Sequence, residues 1–144
     1  MSGIELLLFL VAIFAAALLL GGMMFFSFIV APTVFRVLEP VPGLKFLRAL
    51  FSLYHIINAI LAAIAGLALA AIHDVMLAGT MGFVAVLAAF VHQGLMPRIN
   101  NLHDAARWGD DSARPKFRRL HRLSVMINFV QIFAVFVVLL RLVY

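Results

Sequence analysis

Charge is distributed along this chain so that four long stretches contain no Asp, Glu, Lys or Arg. They hold 30, 25, 23 and 18 residues and are 6–35, 49–73, 75–97 and 123–140. A helix needs about 20 apolar residues to cross the hydrocarbon layer of a bilayer. Because 66% of the chain is hydrophobic and only 12% is charged, an ordinary water-soluble domain is excluded. The sequence predicts an all-α, polytopic membrane protein with a bundle of four transmembrane helices.

The predicted spans make up a single transmembrane domain over residues 1–144. Their bounds are about 4–30, 47–72, 75–96 and 121–142. Pro32 has no amide proton, so we expect it to end or bend the first helix, and we expect an interfacial link from there to Arg48. A tight turn near His73 makes helices two and three antiparallel neighbours. From Arg98 the pattern is compatible with a helix that leaves the membrane, and no internal repeat is strong enough to indicate an inverted-repeat transporter.

The basic residues predict the orientation of the chain in the cell membrane. Ten of the eleven Lys and Arg residues lie in or next to segments 31–48 and 98–120, and only Arg141 lies at the other side. Because cytoplasmic loops carry an excess of Lys and Arg, both segments are predicted to be cytoplasmic and both termini outside. The apolar start of the chain is interpreted as a span and not as a cleaved leader.

The same cations predict partners. Anionic lipid headgroups lie beside both basic segments, so we expect contacts with the bilayer surface and none with nucleic acid. Other membrane subunits, or a second copy of this chain, stay open as further partners. Asp104 and His103 are interpreted as a solvated pair and not as a metal site.

Polar side chains within the predicted spans share one depth, in the cytoplasmic half. The candidate site residues are His55, Asn58, His92, His121, Ser124, Asn128 and Gln131. Helical periodicity places the last four on one stripe of helix four, within an arc of about 80°. Ser27 lies at a similar depth. Since ionisable groups inside a span tend to be functional, His55 is the foremost candidate for a ligand, proton or metal role. Interhelical hydrogen bonding is the alternative role for Ser124, Asn128 and Gln131.

Rows of small residues predict where the helices pack closely. They are Ala17 and Gly21 on helix one, Ala62, Gly66 and Ala70 on helix two, and Gly82, Ala85 and Ala89 on helix three. Because small residues let membrane helices approach, we expect a polar pocket, open towards the cytoplasm, between closely packed helices. Tyr54, Trp108 and Tyr144 are interpreted as interfacial anchors.

Motif residues in both halves of the chain resemble those of a known family. They are the run from Gly21 to Pro32, then Phe35, Arg36 and the run from Leu50 to His55, the run from Met96 to Asn100, and an F-x-x-x-H-x-x-S-x-x-x-N pattern at Phe117, His121, Ser124 and Asn128. The chain resembles, over nearly its whole length, the small four-helix membrane proteins that include transmembrane protein 205 and bacterial relatives of unknown function. The resemblance implies a four-span fold and no established reaction, substrate or cofactor. Family members often have Gly at the position of Arg122.

Three functions stay open. The first is a non-catalytic binding or accessory subunit, whose pocket takes a small molecule or lipid headgroup or which docks to a larger assembly. The second is a haem-binding redox protein with axial ligands from His55, His92 or His121. The third is a pathway for a small solute or ion, which the apolar outer half of the spans disfavours. Because all six carboxylates lie outside the spans or at their ends and the chain has no Cys, we favour binding over catalysis.

Overall fold

The computed structural model describes residues 2–144, which form four long helices. They are α1 Gly3–Val37, α2 Pro40–Ala71, α3 Val75–Arg107 and α4 Ala113–Val143. Each helix contains a window long and apolar enough to cross a membrane, and residues 2–144 contain no strand. The protein is therefore an all-α, multi-pass membrane bundle of four helices, as its sequence predicted.

Local signals in the sequence set the helix ends. At the start of α1 the Ser2 hydroxyl accepts from the Glu5 amide at 3.2 Å, and the Glu5 carboxylate accepts from the Ser2 amide at 2.7 Å. This reciprocal capping box satisfies two amides that would otherwise lack partners. Asp74 caps α3 by accepting from the Leu77 amide at 3.1 Å. Gly109 lies in the turn between α3 and α4 and has a φ of +99°. Glycine adopts this backbone conformation without steric cost.

The helices are longer than the predicted spans. The structure extends α1 to Val37, begins α2 at Pro40, extends α3 to Arg107 and begins α4 at Ala113. Segment 31–48 is therefore mostly helical, and its position at the interface stays a prediction. The helix predicted from Arg98 is present as Met96–Arg107, and its exit from the membrane likewise stays a prediction. A stretch without charged residues predicts only the part of a helix that lies in hydrocarbon. It does not show whether the polar residues on either side continue the same helix.

Two segments of π-helix interrupt the α-helical geometry. They are Phe26–Val30 in α1 and Val91–Leu95 in α3, and each is followed at the second residue by a proline, Pro32 or Pro97. A proline lacks an amide proton, and in an α-helix its ring clashes with the carbonyl four residues earlier. A local π-turn relieves this conflict by changing the hydrogen-bond spacing. Pro32 therefore does not end α1, which continues to Val37.

The four helices pack in a ring. Each helix contacts its neighbours in the chain, and α1 also packs against α4, so that α1 lies diagonally opposite α3 and α2 opposite α4. The helices alternate in direction. At one end of the bundle, α1 and α3 finish and α2 and α4 begin, and this end carries ten of the eleven Lys and Arg residues. We call it the basic end.

Apolar packing fills the half of the bundle away from the basic end. The buried side chains there include Ala12, Ala15, Ala16, Leu19, Met23, Ala62, Ala65, Leu69, Met81, Val84, Val135 and Val138. At Gly66 a Cβ atom would lie 3.4 Å from the Ala78 carbonyl oxygen and from the Gly82 amide nitrogen. The missing side chain at Gly66 thus lets the backbones of α2 and α3 come close together.

The predicted small-residue faces are correct in part. Ala62 and Gly66 are buried as expected, but Ala70 is exposed. The prediction for α1 is wrong, because Ala17 and Gly21 are exposed and the buried face carries Ala12, Ala15, Ala16, Leu19 and Met23. From Leu6 to Phe26 helix one has small residues on both faces and no polar residue to mark either face, so spacing alone does not select the buried one.

Candidate functional site

A cavity of about 280 Å³ lies between the helices near the basic end. Its polar lining consists of Ser27, Tyr54, His55, His121, Ser124 and Asn128. Its apolar lining consists of Phe26, Ala31, Phe35, Phe51, Met96, Val125 and Phe129. All four helices contribute to it, and none of these lining residues is Asp, Glu, Lys or Arg. Apart from the two imidazoles, the walls of the cavity therefore contain no side chain that is ordinarily charged.

A hydrogen-bonded group of three side chains joins α1, α2 and α4 at this cavity. The Tyr54 hydroxyl donates to Oδ1 of Asn128 at 2.5 Å, and Nδ2 of Asn128 donates to the Ser27 hydroxyl at 2.9 Å. The Tyr54 ring stacks on Phe26 with centroids 4.3 Å apart. The interpretation of Tyr54 as an interfacial anchor is wrong, because its hydroxyl points into the bundle and donates to Asn128 of the opposite helix, α4. Trp108 and Tyr144, by contrast, are exposed.

His55 lies on the cavity wall in the middle of α2. Only 4% of the residue is exposed, and Nδ1 of its ring is buried with no hydrogen-bond partner among the described groups. One turn earlier, Phe51 stacks parallel to the imidazole with centroids 6.3 Å apart. Buried polar atoms in folded proteins nearly always have a partner. His55 therefore carries a buried polar atom without a partner at the back of the cavity.

His121 reaches the same cavity from α4. The His121 side chain is exposed, and Phe117 stacks parallel to its ring with centroids 5.8 Å apart. The angle between the two ring planes is 15°, the same as for Phe51 and His55. Since α2 and α4 are diagonal helices, the two imidazoles come to the cavity from opposite sides of the bundle. The Ser124 hydroxyl also lines the cavity, and it donates to the His121 carbonyl oxygen of its own helix at 2.7 Å.

Three of the predicted site residues lie outside the cavity lining. Nε2 of buried Gln131 donates to the Val84 carbonyl oxygen of α3 at 3.1 Å, which is an interhelical hydrogen bond. Asn58 is buried one turn beyond His55, and its Nδ2 has no partner among the described groups. His92 is half-buried in the π-helical segment of α3. The structure thus brings together four of the seven, His55, His121, Ser124 and Asn128.

The cavity opens sideways, between α1 and α4. Its exposed lining side chains all belong to α1 and α4, and they are Phe35, at 68%, Phe129, at 49%, Val125, at 40%, and His121. The lining of α2 lies deeper, with His55 at the back. A molecule dissolved among lipid chains would therefore meet a mostly apolar entrance beside His121 first and buried His55 afterwards.

Arg48 of α2 holds α3 at the basic end. Its guanidinium donates to both carboxylate oxygens of Asp104, at 2.6 and 3.1 Å, and to the Asn100 carbonyl oxygen at 3.3 Å. Asp104 lies beyond the charge-free part of α3, and the hydrogen bond from Arg48 lowers the pKa of its carboxyl group. Asp104 lies 3.8 Å from Nδ1 of His103 and its side chain is 45% exposed, so the two remain a largely solvated pair; the contact with Arg48 is an addition that was not predicted.

Two further features bear on function. Arg118, Arg119 and Arg122 line a groove on α4 together with the apolar residues Leu123 and Met126. Within residues 2–144, no group of three or more His, Cys, Asp or Glu side chains lies close enough together to hold a metal ion.

Comparison with known proteins gives one match. A family model described as a domain of unknown function (DUF4149) matches residues 14–107, which is more than half of the chain. The matched segment begins in α1 and ends with the last residue of α3. No curated protein and no solved structure matches the chain.

Proposed function

We propose a function for this chain, which belongs to the family of the domain of unknown function DUF4149: it is a non-catalytic membrane protein that takes a small molecule from the bilayer into its cavity. The observation that carries the proposal is buried His55, whose Nδ1 has no protein partner and which lies at the back of a cavity with a mostly apolar entrance. An accessory role in a larger membrane assembly agrees with such a site.

The contacts around the cavity favour binding over catalysis or transport. The lining contains no carboxylate to act as a general acid or base. Beyond the cavity, the bundle is closed by buried Leu19, Met23, Val84 and Val135, which offer a solute or ion no polar path to the other side. The side-chain amides of Asn128 and Gln131 already donate to Ser27 and to the Val84 carbonyl oxygen, so on this proposal the imidazoles are the groups that meet a ligand.

The resemblance to the transmembrane protein 205 family supports the same proposal. Three residues of the F-x-x-x-H-x-x-S-x-x-x-N motif, His121, Ser124 and Asn128, line the cavity, and the fourth, Phe117, stacks on His121. On this proposal the motif marks the α4 wall of a binding site, in addition to its contribution to helix packing.

We further propose that the basic end faces the cytoplasm and that both termini lie outside. The support is the ten-to-one distribution of Lys and Arg between the two ends of the bundle. In that orientation the groove of Arg118, Arg119 and Arg122 would lie beside the anionic headgroups of the inner leaflet.

The test of binding is the content of organic molecules in gently purified protein, measured by mass spectrometry of a solvent extract. Val125→Trp fills the entrance of the cavity, whereas Val137→Trp is a matched control on the same helix, because Val137 is 38% exposed and does not line the cavity. We expect one compound to co-purify in near-stoichiometric amount with the wild type and with Val137→Trp and to be lost from Val125→Trp. Identical extracts from all three proteins would contradict the proposal.

A further inference from the structure

The walls of the cavity select against an ionised ligand. None of its lining residues is Lys, Arg, Asp or Glu, and the arginines of α4 line a separate groove. Burying a phosphate or carboxylate in such a place without an opposite charge is costly. The ligand therefore has an uncharged polar group.

Aromatic side chains form much of the wall. Phe26 stacks on Tyr54, and Phe51 stacks parallel to His55. Phe129 lies at the entrance. Aromatic rings favour offset-stacked or edge-to-face contact with another flat ring. The cavity walls therefore favour a ligand with a planar ring over one with a branched or flexible polar group.

Two polar groups approach the cavity from opposite sides. His55 comes from α2 and His121 from α4, which are diagonal in the ring of helices. A neutral imidazole donates one hydrogen bond. The Tyr54 hydroxyl is already used by Asn128, so the two imidazoles are the donors left on the α2 and α4 walls. A ring that carries an acceptor oxygen at each of two opposed positions matches this arrangement.

The dimensions limit the ligand further. The cavity holds about 280 Å³, just under the range of roughly 300–1,000 Å³ for ligand pockets. This is room for one ring or two fused rings and is too little for the four-pyrrole macrocycle of haem. A longer apolar part of the ligand would pass between α1 and α4, where exposed Phe35 and Phe129 border the opening.

We infer that the ligand is a lipid-soluble 1,4-quinone, with its ring in the cavity, its two carbonyl oxygens facing His55 and His121, and its apolar tail leaving between α1 and α4. The inference rests on the proposed binding function and adds the chemical class of the ligand. It is an inference about binding alone and includes no redox step.

The experiment uses the full chain in detergent and two probes, decylubiquinone and decylbenzene. Both carry a ring and a ten-carbon tail, but only the quinone has the two opposed carbonyl oxygens. We expect decylubiquinone to raise the melting temperature in a saturable manner and decylbenzene to have little effect. Equal effects of the two probes would overturn the inference, because the carbonyl groups would then contribute nothing.

Variants of the two histidines test the contacts. His55→Leu and His121→Leu each remove a donor, and we expect each to weaken decylubiquinone binding about three- to tenfold, the effect of one hydrogen bond. His55→Gln and His121→Gln keep an N–H donor and should restore part of the affinity. The melting temperature of each variant without probe shows whether it is folded. Unchanged affinity in the folded Leu variants would overturn the inference.

The outcome distinguishes this inference from the proposal on which it rests. If Val125→Trp loses a co-purified neutral lipid that is not a quinone, and decylubiquinone does not bind, the quinone inference fails and the binding function stands. If the extract shows haem, with a Soret band that His55→Leu abolishes, the quinone inference also fails. If nothing co-purifies and neither probe binds, both fail.

Discussion

The Tyr54 hydroxyl of α2 donates a 2.5 Å hydrogen bond to the side-chain oxygen of Asn128 on α4, across the diagonal of the bundle. Asn128 in turn donates to Ser27 of α1, so one amide links three helices at the cavity. This contact holds the walls of the proposed site at a fixed separation.

Asn128→Leu should therefore destabilise the protein. The substitution leaves the Tyr54 hydroxyl and the Ser27 hydroxyl without their partner, and interhelical hydrogen bonds in membranes are worth about 0.6–2 kcal/mol each. We expect a loss of about 1–3 kcal/mol, measured by chemical unfolding in detergent, and about half of it in Tyr54→Phe. Ser124→Ala is the control, because that hydroxyl bonds only within its own helix. If Asn128→Leu unfolds like the wild type, the contact has no structural role.

Gly66 should accept alanine but not leucine. A Cβ atom fits at 3.4 Å from the α3 backbone, which is the limit of ordinary contact, and a larger side chain would force α2 away from α3. We expect Gly66→Leu to lower the melting temperature strongly and Gly66→Ala to lower it little. Gly21→Leu is the matched control, since nothing lies within 4 Å of a Cβ atom there. Equal effects of the two leucine substitutions would show that α2 and α3 are not closely packed at Gly66.

The Arg48 and Asp104 contact predicts a dependence on acid pH. Because Arg48 holds the pKa of Asp104 below its ordinary value of 3.8, the folded state binds a proton less readily than the unfolded state. The ion pair therefore stabilises the folded state at pH values above 3.8. This stabilisation is lost as the pH falls through the lowered pKa of Asp104. The melting temperature of the wild type should drop more than that of Asp104→Asn over this range. Parallel curves for the two proteins would contradict the assignment.

The proposed orientation is open to cysteine labelling, since the native chain contains no cysteine. Ser112→Cys places a thiol in the turn between α3 and α4, and His73→Cys places one in the turn at the opposite end of the bundle. In intact cells, a membrane-impermeant maleimide should label His73→Cys and should label Ser112→Cys only after lysis. The reverse pattern would invert the orientation.

The sequence predicted the number of helices because charge and hydropathy report directly on where a chain meets hydrocarbon. It did not predict which face of α1 is buried, since Ala12 and Ala17 are equally small and only contacts with α2 and α4 distinguish them. The partner of Tyr54 was missed for a similar reason. An aromatic residue near a membrane boundary is usually an anchor, and its hydrogen bond to Asn128 depends on how α2 and α4 face each other.

The two π-helical segments show another limit of prediction from sequence. The sequence locates Pro32 and Pro97, and a proline in a helical pattern normally indicates an end or a kink. In the structure a π-turn before each proline lets the helix continue. The pairing of Arg48 with Asp104 was likewise hidden, because their contact depends on α2 and α3 continuing as helices beyond the charge-free stretches.

An experimental density map of the protein purified from its native membrane would test the central claim most directly. We predict non-protein density in the cavity, within hydrogen-bonding distance of the His55 ring and extending outwards between α1 and α4. A cavity closed by its own side chains, with the His55 ring hydrogen-bonded to a protein group, would contradict the account.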